Sequence, residues 1–335
     1  MELDVYALGN ALVDIRVQVE DSFLAELDLE KGKRYPTERE RQEEILQMLL
    51  GSDSLDVARK KGKLKTAAAG SAANTVHGIT KLGGRAGFCG KVANDELGAF
   101  YIEHMKQCSV VFTENTGQEM TGTCVVLVSN DGQRTMLTCL GISGQIDYED
   151  INEELLKNSK YLYLEGYLFE SECSARTMLG IVELARKSGV KIALTASGPG
   201  CVERHRDLLV PLIRKDIDLL FANAREAQVL VGNDNIEMAL RTLSGWCEIV
   251  AVTNGELGSL VSFNGEITKV PPCRVLAIDT TGAGDAYAAG FLYGTTQFNM
   301  VEESCKIASI FSAEVVARTG PHYSGDISPE LKKLL

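Results

Sequence analysis

Short runs of β-branched and apolar residues alternate along most of the chain with amphipathic stretches. The runs DVYALG, AGFCG, KYLYLE, VKIALT, IDLLFAN and EIVAVT each end where a helix-like segment begins, the pattern of parallel strands joined by helical crossovers. The clearest helix lies in SARTMLGIVELARKSG, whose apolar positions recur three and four apart before a closing glycine. Another is expected after Thr37, where Glu40 three residues on completes a capping box. The pattern predicts an α/β fold, a doubly wound and mostly parallel sheet with helices on both faces.

Two regions break that rhythm. ALVDIRVQVE and TGTCVVLVSNDGQRTMLTCLG alternate with period two, and Asn130, Asp131 and Gly132 divide the second run as a hairpin turn. They predict a small antiparallel sheet inserted in the body, over approximately residues 13–36 and 109–141. Asn264 and Gly265 mark a further hairpin in the body itself. No internal repeat or low-complexity linker interrupts the 335 residues, so one domain over 1–335 is expected. In open α/β sheets ligands bind beyond the carboxyl ends of the strands, and the chemistry is to be sought at that edge.

Composition narrows the function classes. With 45% hydrophobic and 24% charged residues the chain is globular rather than disordered. Asp and Glu outnumber Lys and Arg by 46 to 34 without any basic block, which argues against a nucleic-acid groove while leaving room for a local phosphate site. The nine cysteines form no C-x-x-C pair and share no metal-ligand spacing with the four histidines, so they read as reduced, buried small hydrophobes. His77, His104, His205 and His322 likewise show no mutual spacing that suggests catalysis. The start, MELDVYALGN, has no signal-peptide core, and no apolar run approaches the ~20 residues of a membrane span. A soluble cytoplasmic protein with no membrane partner is expected.

The segment IDTTGAGDAYAAGF carries the strongest chemical signal. Val275–Ile278 reads as a strand and Ala286 onward as a helix, so the turn between them leaves the amides of Gly282, Ala283, Gly284 and Asp285 at a helix N-terminus, an anion site. Small side chains there admit a phosphoryl group. Asp285 would repel that anion unless it has a task of its own, such as taking a proton from an attacking hydroxyl. The plainer alternative is a helix cap. The familiar nucleotide fingerprints fail: GRAGFCGK has one residue too many for a P-loop, and Gly282 and Gly284 are followed by Tyr287 rather than the third glycine of a dinucleotide motif. A nicotinamide-dependent dehydrogenase is thereby disfavoured.

Five motifs in order resemble the ribokinase-type (PfkB) carbohydrate and nucleoside kinases, and within them the adenosine-kinase-like branch. DTTGAGDAYAAGF is similar to the C-terminal signature of the family, with Tyr287 where phenylalanine is commoner. AGSAANTVHGITKLGG resembles the N-terminal signature, with Ala69 in place of the first glycine, and GNALVDI, NAREA and TNGELGS resemble the substrate strand and loop, the N-x-x-E motif and the nucleotide loop. The likeness spans nearly the whole chain.

That resemblance implies a ribokinase-like fold whose inserted strands form a lid. It implies ATP-dependent transfer of the γ-phosphate to a hydroxymethyl group of a nucleoside, adenosine favoured, or of ribose, fructose or a related sugar. A catalytically silent nucleotide-binding regulator stays open. Asp285 would be the base and Gly282, Ala283 and Gly284 the anion hole. Asp14, Asn10, Gly70 and Asn74 would hold the acceptor, with Asn74 alternatively a buried polar residue. Arg134 and Glu165 would add contacts, against the default of an exposed strand arginine for the former. Tyr167 and Phe169 would wall a base, or belong to the core. Asn223, Thr253, Gly255 and Gly258 would line ATP, with Ser309 and Ser312 near its adenine. Glu226 would orient Mg²⁺ through water, although NARE is equally a capping box with Asn223 as its cap. A monovalent cation such as K⁺ is left open, as is the choice between a monomer and a lid-mediated homodimer.

Overall fold

The structure, a computed structural model, describes residues 2–323, 325 and 327–334. Its strands are β1 (Leu3–Leu8), β2 (Leu12–Gln18), β3 (Arg34–Pro36), β4 (Leu64–Ala69), β5 (Ala86–Ala93), β6 (Val111–Gly117), β7 (Gly122–Val128), β8 (Arg134–Cys139), β9 (Ser159–Glu165), β10 (Lys191–Thr195), β11 (Leu219–Asn223), β12 (Ile249–Thr253), β13 (Ser259–Phe263) and β14 (Glu266–Val270). Nine of them form one sheet in the order β14-β13-β12-β11-β10-β9-β1-β5-β6. Every pairing from β12 across to β6 is parallel. β12, β13 and β14 are antiparallel neighbours, and the hairpin expected at Asn264 and Gly265 joins the last two.

All of β1 is buried, and from Val5 to Leu8 its alternation divides it between two cores, with Leu3 at its start joining the second. Val5 and Ala7 join the core under helices Ser71–Lys81, Ala283–Phe298 and Val301–Val316. Leu3, Tyr6 and Leu8 join the core under helices Glu172–Lys187 and Pro199–Asp216. β1 lies between β9 and β5, with β10 and β11 beyond one and β6 beyond the other. This reversal of strand order is a topological switch point, and a crevice opens at its carboxyl edge.

The second sheet has the order β3-β8-β7-β2-β4. The expected hairpin is β7 and β8, antiparallel as are β2 and β4, while β2 with β7 and β3 with β8 run parallel. Its extent differs from the sequence reading. β6, inside the expected segment, is an edge strand of the large sheet, and β4, outside it, pairs with β2. Period two marks a half-covered strand but does not say which sheet receives it. Helices Arg39–Leu50 and Leu55–Lys60 cover the outer face, where Ile45 and Ala58 pack with Ile15, Val125 and Leu137.

Two local expectations are corrected. Thr37 does not cap a helix: its amide bonds to Thr138 and its hydroxyl to the Tyr35 carbonyl, extending the β3 pairing, and Glu38 occupies the cap position without a side-chain bond. Val275–Ile278 is not a strand. The amides of Ile278 and Asp279 both bond to the Val316 carbonyl at the end of a helix, and Leu276 is 84% exposed. No helix among the described residues is long and apolar enough to cross a membrane, and none of the nine cysteines is joined in a disulfide among the described residues.

Candidate active site

A cavity of about 980 Å³ opens at the carboxyl ends of β9, β10, β11 and β12, roofed by the second sheet. Asp285 stands on its floor, in the first turn of helix Ala283–Phe298. Its Oδ1 accepts a bond from the Ser71 hydroxyl at 2.6 Å, and its Oδ2 one from the Asn74 amide at 2.8 Å. Burial raises the carboxyl above its ordinary value, and those two bonds with the Arg34 charge only partly offset it. The carboxylate is therefore a better proton acceptor than an exposed one, and its aim is fixed by neutral donors.

The preceding turn is built as the sequence predicts. Gly282 adopts the left-handed conformation at φ 75°, and a Cβ there would fall 2.9 Å from Pro321. The Ala283 amide closes the turn on the Thr280 carbonyl at 3.3 Å. Among the described residues the amides of Gly282, Gly284 and Asp285 make no bond, so these three rather than that of Ala283 are free to receive an anion. A Cβ on Gly284 would meet nothing within 4 Å, which shows that this position faces open cavity.

Glu165, at the end of β9, is a staple rather than a free substrate ligand. One carboxylate oxygen accepts from the Asn10 amide at 2.8 Å and from its side chain at 3.0 Å; the other accepts from the Ala72 amide at 2.8 Å. It thus ties the loop after β1 to the N-terminus of helix Ser71–Lys81. Burial pushes its carboxyl up to about 7 against the bonds from Asn10 and Ala72, with the Asp285 charge adding to the rise. Gly70 completes the joint at φ 114°, because a Cβ there would lie 2.1 Å from the Asn10 carbonyl oxygen. Asn10 Oδ1 is buried with no partner among the described residues. A buried acceptor of that kind wants a donor, and a hydroxyl entering the cavity would meet that need.

Charge pairs hold the second-sheet wall. Arg16 bonds to Asp14 Oδ2 at 3.3 Å and to Asp279 Oδ2 at 3.3 Å; Arg134 reaches Asp279 Oδ1 at 2.5 Å and the Thr280 hydroxyl at 3.3 Å. Arg134 is therefore neither a free ligand nor an exposed strand arginine. Asp279 also accepts from the amides of Thr281 and Gly320. Burial opposes its ionisation, but these bonds and the Arg134 charge outweigh it and hold the carboxyl below its ordinary value. Asp14 Oδ1 makes no bond among the described residues, and burial raises its carboxyl despite Arg16 and Arg34.

At the far end Asn223 and Glu226 form the capping box at the start of helix Ala224–Val231. Both also line the cavity. Burial pushes Glu226 up to about 7 against the bonds from Asn223 and Gly198, helped by the charge of Asp285. Two inward carboxylates that repel one another suit a hard divalent cation with oxygen ligands. Thr253 lines the cavity, but Gly255, Gly258, Ser309 and Ser312 do not. Gly258 serves a close backbone approach, its Cβ position lying 2.2 Å from the Val270 carbonyl oxygen. Ser309 bonds to the Pro271 carbonyl and the Cys273 amide, tying down the segment after β14, and Ser312 bonds to the carbonyl of Ala283, bracing the glycine turn from behind. Tyr167 lines the cavity, whereas Phe169 is core and packs on His205.

Several participants escaped the sequence reading. Ser71 adjoins the signature asparagine, and Arg16 lies two residues beyond Asp14 on the same strand face, so period two could have flagged it. The histidines gave no such signal. His322 bonds to Asn74 Oδ1 at 3.0 Å, meets the His77 ring edge-on at 4.5 Å and stacks with His104 at 4.9 Å. Burial lowers all three, His77 to about 4. Asn74 is thereby held between His322 and Asp285, a positioning role.

Residues 45–327 match the model of the family described as pfkB family carbohydrate kinase. A probable sugar kinase from Rhizobium etli CFN 42 superposes with a TM-score of 0.92 at 32% identity, covering 100% of both chains. Adenosine kinase from Sinorhizobium meliloti does so with a TM-score of 0.91 at 33% identity, again covering 100% of both. The 5-dehydro-2-deoxygluconokinase of Clostridium perfringens is 26% identical over 262 residues, 74% of this chain and 78% of that relative. The ribokinase-like fold expected from the sequence is the one these structures share.

Proposed function

Starting from the fact that the chain belongs to the pfkB family of carbohydrate kinases, we propose that it moves the γ-phosphoryl group of ATP to the hydroxymethyl group of a ribonucleoside, adenosine being the one the sequence resemblance favours. The observation that carries this reading is Asp285 beside the unpaired amides of Gly282, Gly284 and Asp285 in one cavity with Asp14 and Asn10. The acceptor diol donates to Asp14 Oδ1 and Asn10 Oδ1, which aims its hydroxymethyl group at the floor. Asp285 takes the hydroxyl proton as that oxygen bonds to the γ-phosphorus. The bond to the β-phosphate oxygen breaks, and ADP leaves with the electron pair. Charge on the transferring oxygens falls to the three amides, which need no reorientation to receive it. Mg²⁺, when bound through water to Glu226, would neutralise phosphate charge.

The likeness to adenosine kinase from Sinorhizobium meliloti supports a nucleoside acceptor. The relative from Clostridium perfringens supports a second reading, a sugar-derived acceptor on the same machinery. The test is ADP release by purified protein with ATP and Mg²⁺, against a panel of nucleosides and sugars. Turnover that depends on an added nucleoside is expected. Turnover with sugars alone selects the second reading, and none with any acceptor points to a nucleotide-binding regulator.

A further inference from the structure

Three arginines of the cavity differ in what they touch. Arg134 is paired with Asp279, and Arg204 with Glu170. Arg34, at the start of β3, pairs with no carboxylate among the described residues. The one side-chain hydrogen bond it makes among the described residues goes to the Met136 sulfur at 3.6 Å, a weak acceptor, and its guanidinium lies 4.5 Å from the centre of the Tyr167 ring. Cys124, Met136 and Tyr167 line the cavity beside it. Its charge is felt by Asp14 and Asp285, which places it in the acceptor half of the cavity. The wall there is soft and planar, with one strong donor left unspent.

We propose that Arg34 reads the base edge of the acceptor and that the preferred acceptor is a 6-oxopurine ribonucleoside, inosine or guanosine, rather than adenosine. The inference rests on the nucleoside reading above and departs from the adenosine expectation of the sequence. A guanidinium stays charged, donates only and cannot switch to accepting. O6 and N7 of a 6-oxopurine are two adjacent acceptors that match its fork, whereas adenine offers N7 beside the N6 amino group, a donor facing a donor. Tyr167 covers one face of the guanidinium and pre-orients it, which lowers the ordering cost on binding. A neutral sugar of ribose size offers this guanidinium no paired acceptor edge.

The experiment measures kcat/KM for inosine, guanosine and adenosine with ATP and Mg²⁺, and their affinities by calorimetry without ATP, for the native protein and for Arg34→Gln. The native protein should favour the two 6-oxopurines by roughly 10- to 100-fold. Arg34→Gln should narrow or reverse that ratio, because an amide both accepts from N6 and donates to N7. Adenosine outperforming both in the native protein overturns the inference and leaves the nucleoside reading standing. So does a ratio that Arg34→Gln does not move while its melting temperature stays native. If no nucleoside binds or reacts but a sugar acid does, Arg34 recognises a carboxylate, and the nucleoside reading falls with the base assignment.

Discussion

On the floor and far wall of the cavity Asp285, Glu165 and Glu226 are held by neutral donors, whereas under the second sheet Asp14 and Asp279 are held by arginines. The neutral bonds come from elements fixed by the large sheet: the ends of β1 and β11 and the first turn of helix Ser71–Lys81. They set each oxygen's direction without adding charge, and burial is then free to raise all three carboxyls. The arginine contacts instead cross between layers, from β2 and β8 to the glycine turn. One wall is a rigid template and the other a charged seam between two sheets. The template suits the proposed proton transfer, and the seam would suit a roof that opens to the proposed acceptor.

Breaking the template at its centre should have the largest effect. Asp285→Asn keeps the shape and the Ser71 bond but cannot take a proton at neutral pH. Turnover should fall by roughly 10²- to 10⁴-fold with ATP affinity largely retained. A variant with near-native turnover would leave Asp285 as a structural tie to Ser71 and Asn74 alone.

Breaking the seam should act on the second sheet and spare the body. Asp279→Asn preserves the bond from Thr281 but weakens both arginine pairs. The expected loss is about 2 kcal/mol, discounted from the fully buried case because the pairs keep some solvent contact. Amide exchange should speed up in 122–139 and stay native in β9 to β12. Acceleration spread evenly over both sheets would mean that Asp279 supports the whole fold rather than the roof.

The template was largely legible in sequence because its parts are local. The glycine turn, Asp285 and the NARE capping box each lie within a few residues, and backbone rules fix their geometry before any tertiary contact forms. The seam was not. Arg16 and Asp279 are 263 positions apart, and nothing in either neighbourhood names the other. For Ser309 and Ser312, which the resemblance put near adenine, the structure shows instead a bond from each hydroxyl to a backbone carbonyl, a role that sequence did not suggest. Val275–Ile278 had strand composition without a strand to pair with, a choice that tertiary context makes.

A pH series sharpens the comparison. Glu165 ionises near 7 in the folded protein, well above an unfolded carboxyl, so between about pH 4.5 and 7 the folded state holds a proton that the unfolded state releases. Its contribution is present in acid and is lost as pH rises through about 7. His77, lowered to about 4, works the other way: its contribution is full above about 6.5 and is lost as pH falls. Removing Glu165 as Glu165→Gln should cost stability at every pH, because an amide N–H would face the Asn10 or Ala72 donors. That cost should shrink by about 1–2 kcal/mol from pH 5 to pH 7. Melting temperatures of the two proteins across that range decide it, and a constant difference would mean that Glu165 does not titrate there.

Glu226→Gln should produce the smallest change, and a cleanly divided one. The glutamine oxygen can still accept from the Asn223 amide, so the cap on helix Ala224–Val231 survives, while the charge and the bond from the Asn223 side chain are lost. The melting temperature at pH 7 should therefore stay close to native, and burial of a neutral amide is easier than burial of a carboxylate that Asp285 repels. A carboxylate that orients metal-bound water is worth about 10-fold or more in metal affinity. The Mg²⁺ concentration for half-maximal rate should rise by roughly that factor, with the rate at saturating Mg²⁺ much less affected. A fall in melting temperature with an unchanged Mg²⁺ requirement would assign Glu226 to the helix cap and move the cation to another part of the cavity.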